Sequence, residues 1–239
     1  PGVDILQVQR HARKLRIGSH RRNAFEIRLH DCTGPREAWD ARLHTIARQG
    51  FPNYFGAQRF GRGFSNLTAA ERLFASPKNR WPRHKRSLAL SAARSWLFNA
   101  VCAERLQSGC WQMPPVNELW VLEGSRSFFR GEDAAADRAR MDAGDIHPSG
   151  PLWGRRDAAD DDDLAARERA WLMPYDAFCE GLASAGLKME RRALRSLAHD
   201  LQWRWTGEAS LTLSFTLNTG CFATALLREL ASCPEGLDA

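Results

Sequence analysis

FPNYFGAQRFGRGFSN, residues 51–66, interleaves aromatic, glycine and cationic side chains more densely than a core segment or a solvent loop does. Pro52, Gly56, Gly61 and Gly63 break any helical or strand period, so Tyr54, Phe55 and Phe60 fall on irregular backbone. Such backbone carries binding and catalytic groups more often than regular elements do. Two readings of the run stand. Its aromatics can stack on unpaired bases while Arg59 and Arg62 meet phosphates, the usual grip on single-stranded RNA. Alternatively, the aromatics plug the edge of a core.

The flanking sequence says what holds this loop. Upstream, Asn23 to Asp31 alternates Phe25, Ile27 and Leu29 with Glu26, Arg28 and His30, which predicts a half-buried strand. Pro35 then opens a helix that turns Trp39, Leu43 and Ile46 inward, and Gly50 closes it. Near the other end, Leu201, Trp203 and Trp205 alternate with polar residues. Thr206-Gly207 turns the chain, and Leu211, Leu213, Phe215 and Leu217 alternate again, the pattern of a β-hairpin. A helix is expected from Phe222 to Ala231.

Between these β-rich ends the character is helical. Lys85 to Gln107 places Leu88, Ala92, Trp96, Ala100 and Ala103 at helical spacing, with Gly109 as the stop. Met141 to Gly154 reads as a loop. His147 beside Ser149 lacks an oriented acid or a glycine-framed elbow and predicts a turn rather than a nucleophile. Asp160 to Asp163 suits a helix N-terminus, where the dipole favours carboxylates, better than a metal site. The order suggests a middle domain inserted into a split one.

Charge points to a polyanion. The 239 residues carry 34 Lys and Arg against 28 Asp and Glu, a net +6 with pI near 9.3, and 44% are hydrophobic, enough to bury a core. Gln9 to Arg22 holds six Lys or Arg and no acid, and Ser76 to Arg94 holds another six and none. Two such blocks flanking the aromatic loop create local positive potential and salt-dependent binding. Cys32, Cys102, Cys110, Cys179, Cys221 and Cys233 show neither C-x-x-C spacing nor paired histidines, so no zinc site or disulfide framework is indicated. Reduced thiols fit a cytoplasmic protein, and no segment has the run of about 20 apolar residues needed to span a membrane.

Residues 53–61 with Gly63 and Asn66 resemble the N-Y-F-G-x-Q-R-F-G signature of the TruD family of tRNA pseudouridine synthases. Two further segments are similar to that family in the same order: His11 to Phe25 (HARKLRIGSHRRNAF) and Gly220 to Leu230 (GCFATALLREL). Phe64 stands where glycine is common, Asn218-Thr219 replaces a usual Pro-Ala or Pro-Lys, and Cys221 replaces serine. The family's nucleophilic aspartate lies upstream of the R-K-L-R stretch and has no counterpart here; Asp4, before Ile5, Leu6 and Val8 in an expected short strand, has no such role. The chain is therefore expected to be the C-terminal two-thirds or so of a longer enzyme, inactive alone.

The resemblance implies an α/β (α+β) fold, with a mixed, mainly antiparallel sheet of the pseudouridine synthase type split by an inserted, mostly helical domain. Residues 1–77 and 198–239 would form the catalytic domain and 78–197 the insertion. It implies isomerisation of uridine in tRNA at position 13, with no metal or other cofactor and no obligatory protein partner. Phe55 and Phe222 are the expected walls for the flipped base, Asn53 the residue supporting the nucleophile, and Lys14, Arg16, Arg21, Arg22 and Arg59 the RNA-binding cations. The roles of Arg228 and Glu229 stay open. So does an alternative function, a non-catalytic RNA-binding or RNA-folding module; a DNA-binding regulator fits less well, for want of a recognition helix.

Overall fold

A computed structural model describes residues 7–10, 12, 14, 20–76, 80–155 and 162–231. Asp4, Ile5, Leu6, Arg16, Asp160, Asp161 and Cys233 lie outside the described residues. Elements follow in the order β1 (Arg22–Leu29), α1 (Arg36–Gln49), β2 (Phe51–Pro52), α2 (Ser65–Ala75), α3 (Arg83–Gln107), β3 (Leu119–Leu122), β4 (Phe128–Arg130), α4 (Ala134–Asp142), β5 (Ile146–Leu152), α5 (Asp163–Leu172), α6 (Asp176–Ser184), β6 (Glu190–Ala193), β7 (Arg195–Ser196), β8 (His199–Gly207), β9 (Ser210–Asn218) and α7 (Ala223–Arg228). The fold is mixed α/β, and the ladders between these strands are all antiparallel.

The first sheet joins the two ends of the chain in the order β1-β9-β8, with Phe25 opposite Phe215 and Leu29 opposite Leu211. The alternation read from sequence has a cause in this layering. One face turns Leu211, Leu213, Phe215 and Leu217 onto Leu43 and Ile46 of α1, while the other face meets solvent. Asp40 fastens helix to sheet by accepting from Trp203 Nε1 at 2.8 Å and Trp205 Nε1 at 3.3 Å. The hairpin turn falls at Glu208-Ala209, two residues later than Thr206-Gly207, because Gly207 still pairs with Ser210.

In the middle of the chain α3 runs between two cores. Leu90, Leu97 and Val101 pack with α2, α5 and α6, and Phe98 and Cys102 pack toward residues 51–66. The expected stripe was misplaced at its start, for Leu88 is half exposed. Steps of four residues drift by about 40° around a helix of 3.6 residues per turn, so a stripe built on them crosses from solvent to core.

The sequence reading also missed a sheet, β4-β3-β5-β6, beside these helices. Met141 to Gly154 is not a loop: it holds the end of α4 and then β5, whose residues Ile146 to Pro151 are all buried. Pro148 and Pro151 disguised it, since proline disrupts a doubly paired strand. Here β5 exchanges partners, pairing with β3 over Ile146 to Pro148 and with β6 over Ser149 to Leu152, so neither proline interrupts a two-sided ladder. Ser149 is fully buried and its hydroxyl is spent on Leu119 O and Arg191 Nε. Asp162 caps α5, accepting from the Ala165 N–H at 2.8 Å, as the acidic run predicts.

One carboxylate ties the two main sheets together. Glu123, just after β3, accepts from His147 Nε2 of β5 at 2.6 Å, His199 Nε2 of β8 at 2.8 Å and Asn218 Nδ2 of β9 at 2.7 Å. Burial would raise its pKa, but the bonds from His147 and Asn218 and the adjacent imidazoles outweigh burial and hold it at about 2. Burial lowers the His147 pKa, and Arg195 Nε donates to its Nδ1 at 3.0 Å, so the folded ring is neutral.

Both groups make acid destabilising. The unfolded chain protonates His147 first as pH falls below about 6.5, while the folded chain resists. The Glu123 contribution, at most about 3 kcal/mol, is fully present above its unfolded pKa near 4.5 and lost as pH approaches 2. Urea unfolding midpoints should therefore fall from about pH 6.5 downward. His147→Gln should flatten the upper limb and Glu123→Gln the lower one; wild-type slopes in both variants would remove this cluster as the cause.

Candidate active site

The aromatic run starts from a short ladder. Phe51 and Pro52 of β2 pair with Ser196 and Arg195 of β7, and the Asn53 N–H donates to Leu194 O at 2.9 Å. Asn99 of α3 brackets the next turn: its Oδ1 accepts from the Phe55 N–H at 2.9 Å and its Nδ2 donates to Phe55 O at 3.0 Å. Gly56 is a close-approach glycine, since a Cβ there would come within 2.9 Å of Thr224 Oγ1 and 3.4 Å of the Phe222 ring. A 3₁₀ turn over Ala57–Phe60 follows, and Asn66 Nδ2 closes it by donating to Arg59 O at 3.2 Å. Phe64 adopts φ 59°, a left-handed conformation suited to glycine, and lies half exposed against Phe60 and Trp96.

Three distant segments converge on Phe55, whose ring is only 6% exposed. Phe98 meets it edge-on at 5.5 Å between centroids, and Phe222, at the N-cap of α7, lies 6.0 Å away. Two guanidinium carbons approach the same ring, Arg192 at 4.2 Å and Arg59 at 5.2 Å from its centroid. Arg192 Nη2 donates to Asn53 Oδ1 at 2.8 Å and to Gly220 O at 2.9 Å, while Asn53 Nδ2 donates to Ala193 O at 2.8 Å. Burial lowers the pKa of both arginines; at Arg192 the Cys221 and Cys102 thiols oppose the fall and Arg59 adds to it, with no carboxylate among the causes for either guanidinium. The result is a positively charged, aromatic-walled corner with a fixed amide. Among the described residues no three His, Cys, Asp or Glu side chains gather where they could hold a metal.

Residues 1–73 and 64–230 match the family model described as tRNA pseudouridine synthase D (TruD). The chain belongs to the TruD family. It is 43% identical to tRNA pseudouridine synthase D of Stutzerimonas stutzeri over 95% of this chain and 66% of the relative. The corresponding protein of Aeromonas salmonicida is 44% identical over 98% of this chain, again with 66% of the relative covered. The chain thus spans just under two thirds of the length of these relatives. The crystal structure of the putative tRNA pseudouridine synthase D (TruD) from Methanosarcina mazei superposes with a TM-score of 0.64 at 16% identity, covering 89% of this chain and 69% of that one, a likeness of fold.

The TruD signature residues are thus gathered, but not all as expected. Asn53, Phe55 and Phe222 sit together, and both polar ends of the Asn53 amide are engaged within the described residues. Arg59 is a fixed, half-buried group whose Nε donates to Ser95 Oγ at 3.0 Å. Lys14, Arg21 and Arg22 are exposed, with Arg22 Nε donating to Asn218 Oδ1 at 3.3 Å. In the second basic block Arg80, Arg83, Lys85 and Arg86 are exposed, but Arg94 is turned inward onto Leu152 O and Trp153 O. Arg228 lies 5.5 Å over Tyr54, and Glu229 pairs with Arg42, clipping α7 to α1.

Sequence reading missed Arg192 and Asn99. Arg192 comes from a segment, Met189 to Ser196, with no glycine or aromatic punctuation. Asn99 sits in the long helix, where an asparagine reads as a poor helix former and carries no address for a loop 44 residues away.

Proposed function

We propose that the full-length protein isomerises uridine to pseudouridine in tRNA, at position 13 by family resemblance. The convergence of Asn53, Phe55 and Phe222 in a cationic corner, on a chain of the TruD family, carries this reading. The target base has to leave its stack, so flat apolar walls that replace the lost stacking are what the reaction needs. Breaking the N-glycosidic bond and forming the C–C bond calls for a nucleophile, confinement and orientation, with no redox step. The family resemblance puts the nucleophilic aspartate upstream of the R-K-L-R stretch. Pairing of β1 with β9 supports reading residues 1–77 and 198–239 as two parts of one catalytic unit, with 78–197 inserted between them.

RNA would be held by Lys14, Arg16, Arg21, Arg22 and Arg59. The exposed cations at the start of α3 add to this surface: Arg83, His84, Lys85 and Arg86 crowd a helix N-terminus whose first turn holds no acid. Cations are unfavourable at that end of the dipole, so an anionic partner relieves them. Among the described residues no helix is long and apolar enough to cross a membrane, and tRNA as substrate favours a cytoplasmic location.

Full-length protein incubated with unmodified tRNA should form pseudouridine, detected by chemical labelling and mass spectrometry, without added metal or nucleotide. Arg21→Ala with Arg22→Ala should weaken tRNA binding and flatten the slope of log affinity against log salt by about one for each phosphate that the protein no longer neutralises. An unchanged slope would take these two residues out of the interface. Tight binding with no product would leave only the RNA-binding module.

A further inference from the structure

We infer that Arg192 is the positioning residue of this site, fixing the Asn53 amide and the Phe55 ring in one bonded unit; the inference rests on the activity proposed above. The Asn53 amide has two chemically different ends. Arg192 Nη2 donates to its oxygen and Ala193 O takes a bond from its nitrogen, so the two bonds together select one orientation. The same Nη2 donates to Gly220 O, two residues before Phe222. The guanidinium carbon lies 4.2 Å from the Phe55 ring centroid and 5.5 Å from that of Phe98. One side chain on β6 therefore touches the aromatic run, the turn before α7 and α3.

The charge makes a purely structural role expensive. No carboxylate is hydrogen-bonded to Arg192 among the described residues, its Nε is buried without a hydrogen-bond partner, and Arg59 adds like charge that the Cys221 and Cys102 thiols oppose. A half-buried guanidinium with one buried, unpartnered N–H is costly. A core built for stability alone would place a neutral group here. Its retention is explained if the amide it orients has to meet a reacting group, and if positive potential beside Phe55 favours the anionic substrate.

The full-length protein tests this through Arg192→Lys and Arg192→Ala. Lysine keeps the charge but lacks the flat guanidinium that rests against the Phe55 ring while its Nη2 donates to both Asn53 Oδ1 and Gly220 O. Arg192→Lys should lower kcat at least 10-fold with KM for tRNA within about threefold, and Arg192→Ala should lower kcat further. Millimolar guanidinium should restore part of the Arg192→Ala turnover. It should not do so when Asn53→Ala is also present, and the double variant should be no slower than Asn53→Ala alone.

Thermal unfolding measured alongside corrects each rate for folded fraction. Independent of activity, the Asn53 side-chain amide should give one sharp pair of NMR resonances in wild type, and shifted or exchange-broadened ones in Arg192→Lys. Wild-type kcat per folded Arg192→Lys molecule, multiplying rather than saturating effects of the two substitutions, or an unmoved Asn53 amide would overturn the inference. A wild-type protein that makes no pseudouridine would count instead against the proposed activity, and the Asn53 resonances would still decide the role of Arg192.

Discussion

Replacing Glu118 by alanine should destabilise the protein by about 3–5 kcal/mol, the cost of stranding one partner of a buried ion pair. Arg105, near the end of α3, and Glu118, just before β3, have side-chain exposures of 0% and 1%, and meet through two bonds of 2.6 and 3.1 Å. Glu118 Oε1 also accepts from the Leu119 N–H at 2.9 Å, which fixes the start of the strand. Without the carboxylate, a guanidinium whose Nε already lacks a partner stays buried and charged. Glu118→Gln should fall between wild type and alanine. Glu118→Leu with Arg105→Met should recover much of the loss, since apolar pairs of similar volume often replace buried ion pairs at little cost. Urea denaturation measures all of these, and a Glu118→Ala loss under about 1 kcal/mol, small beside that cost, would mean that water reaches Arg105. The pair matters beyond stability because α3 also carries Phe98 and Asn99, two supports of the aromatic run.

How far the sequence could be read follows from how local each signal is. The strand from Asn23, the hairpin around Gly207 and the helix after Pro35 show in their periods, because each has one buried face and one wet face. Helix α3 is buried over more than one side, so its period marks no single face. Strand β5 is buried throughout and carries two prolines, so neither alternation nor composition reveals it. The same holds at the site. Asn53, Phe55 and Phe222 were legible because they stand in segments that resemble a family. Arg192 is known only by what it touches, and Asn53 is 139 residues away in sequence. The Glu123 cluster escaped for the same reason: two histidines, an asparagine and a glutamate from four strands or strand ends have no spacing in common.

Phe55→Ala should produce the largest combined effect, on folding and on turnover, and a second substitution separates the two. The ring is nearly buried against Phe98, Phe222 and two guanidinium groups. Removing it should cost about 3–5 kcal/mol of stability from cavity formation, before the missing cation–π attraction is added. That loss alone would lower activity by depleting folded protein. Phe55→Leu keeps most of the buried volume and should cost less, about 1.5 kcal/mol or below. Leucine presents no flat face, however, and cannot hold the Arg192 plane or a base as a ring does. If the proposed role is right, Phe55→Leu in the full-length protein should still lose the roughly 1–3 kcal/mol typical of base stacking, about 5- to 150-fold in kcat, with little change in tRNA affinity, which rests on phosphates. Turnover per folded molecule and tRNA binding, measured together with urea unfolding, settle the matter. A Phe55→Leu protein with wild-type kcat would make the ring a packing residue, and the wall of the pocket would then have to be sought at Phe222, whose ring is the more accessible of the two.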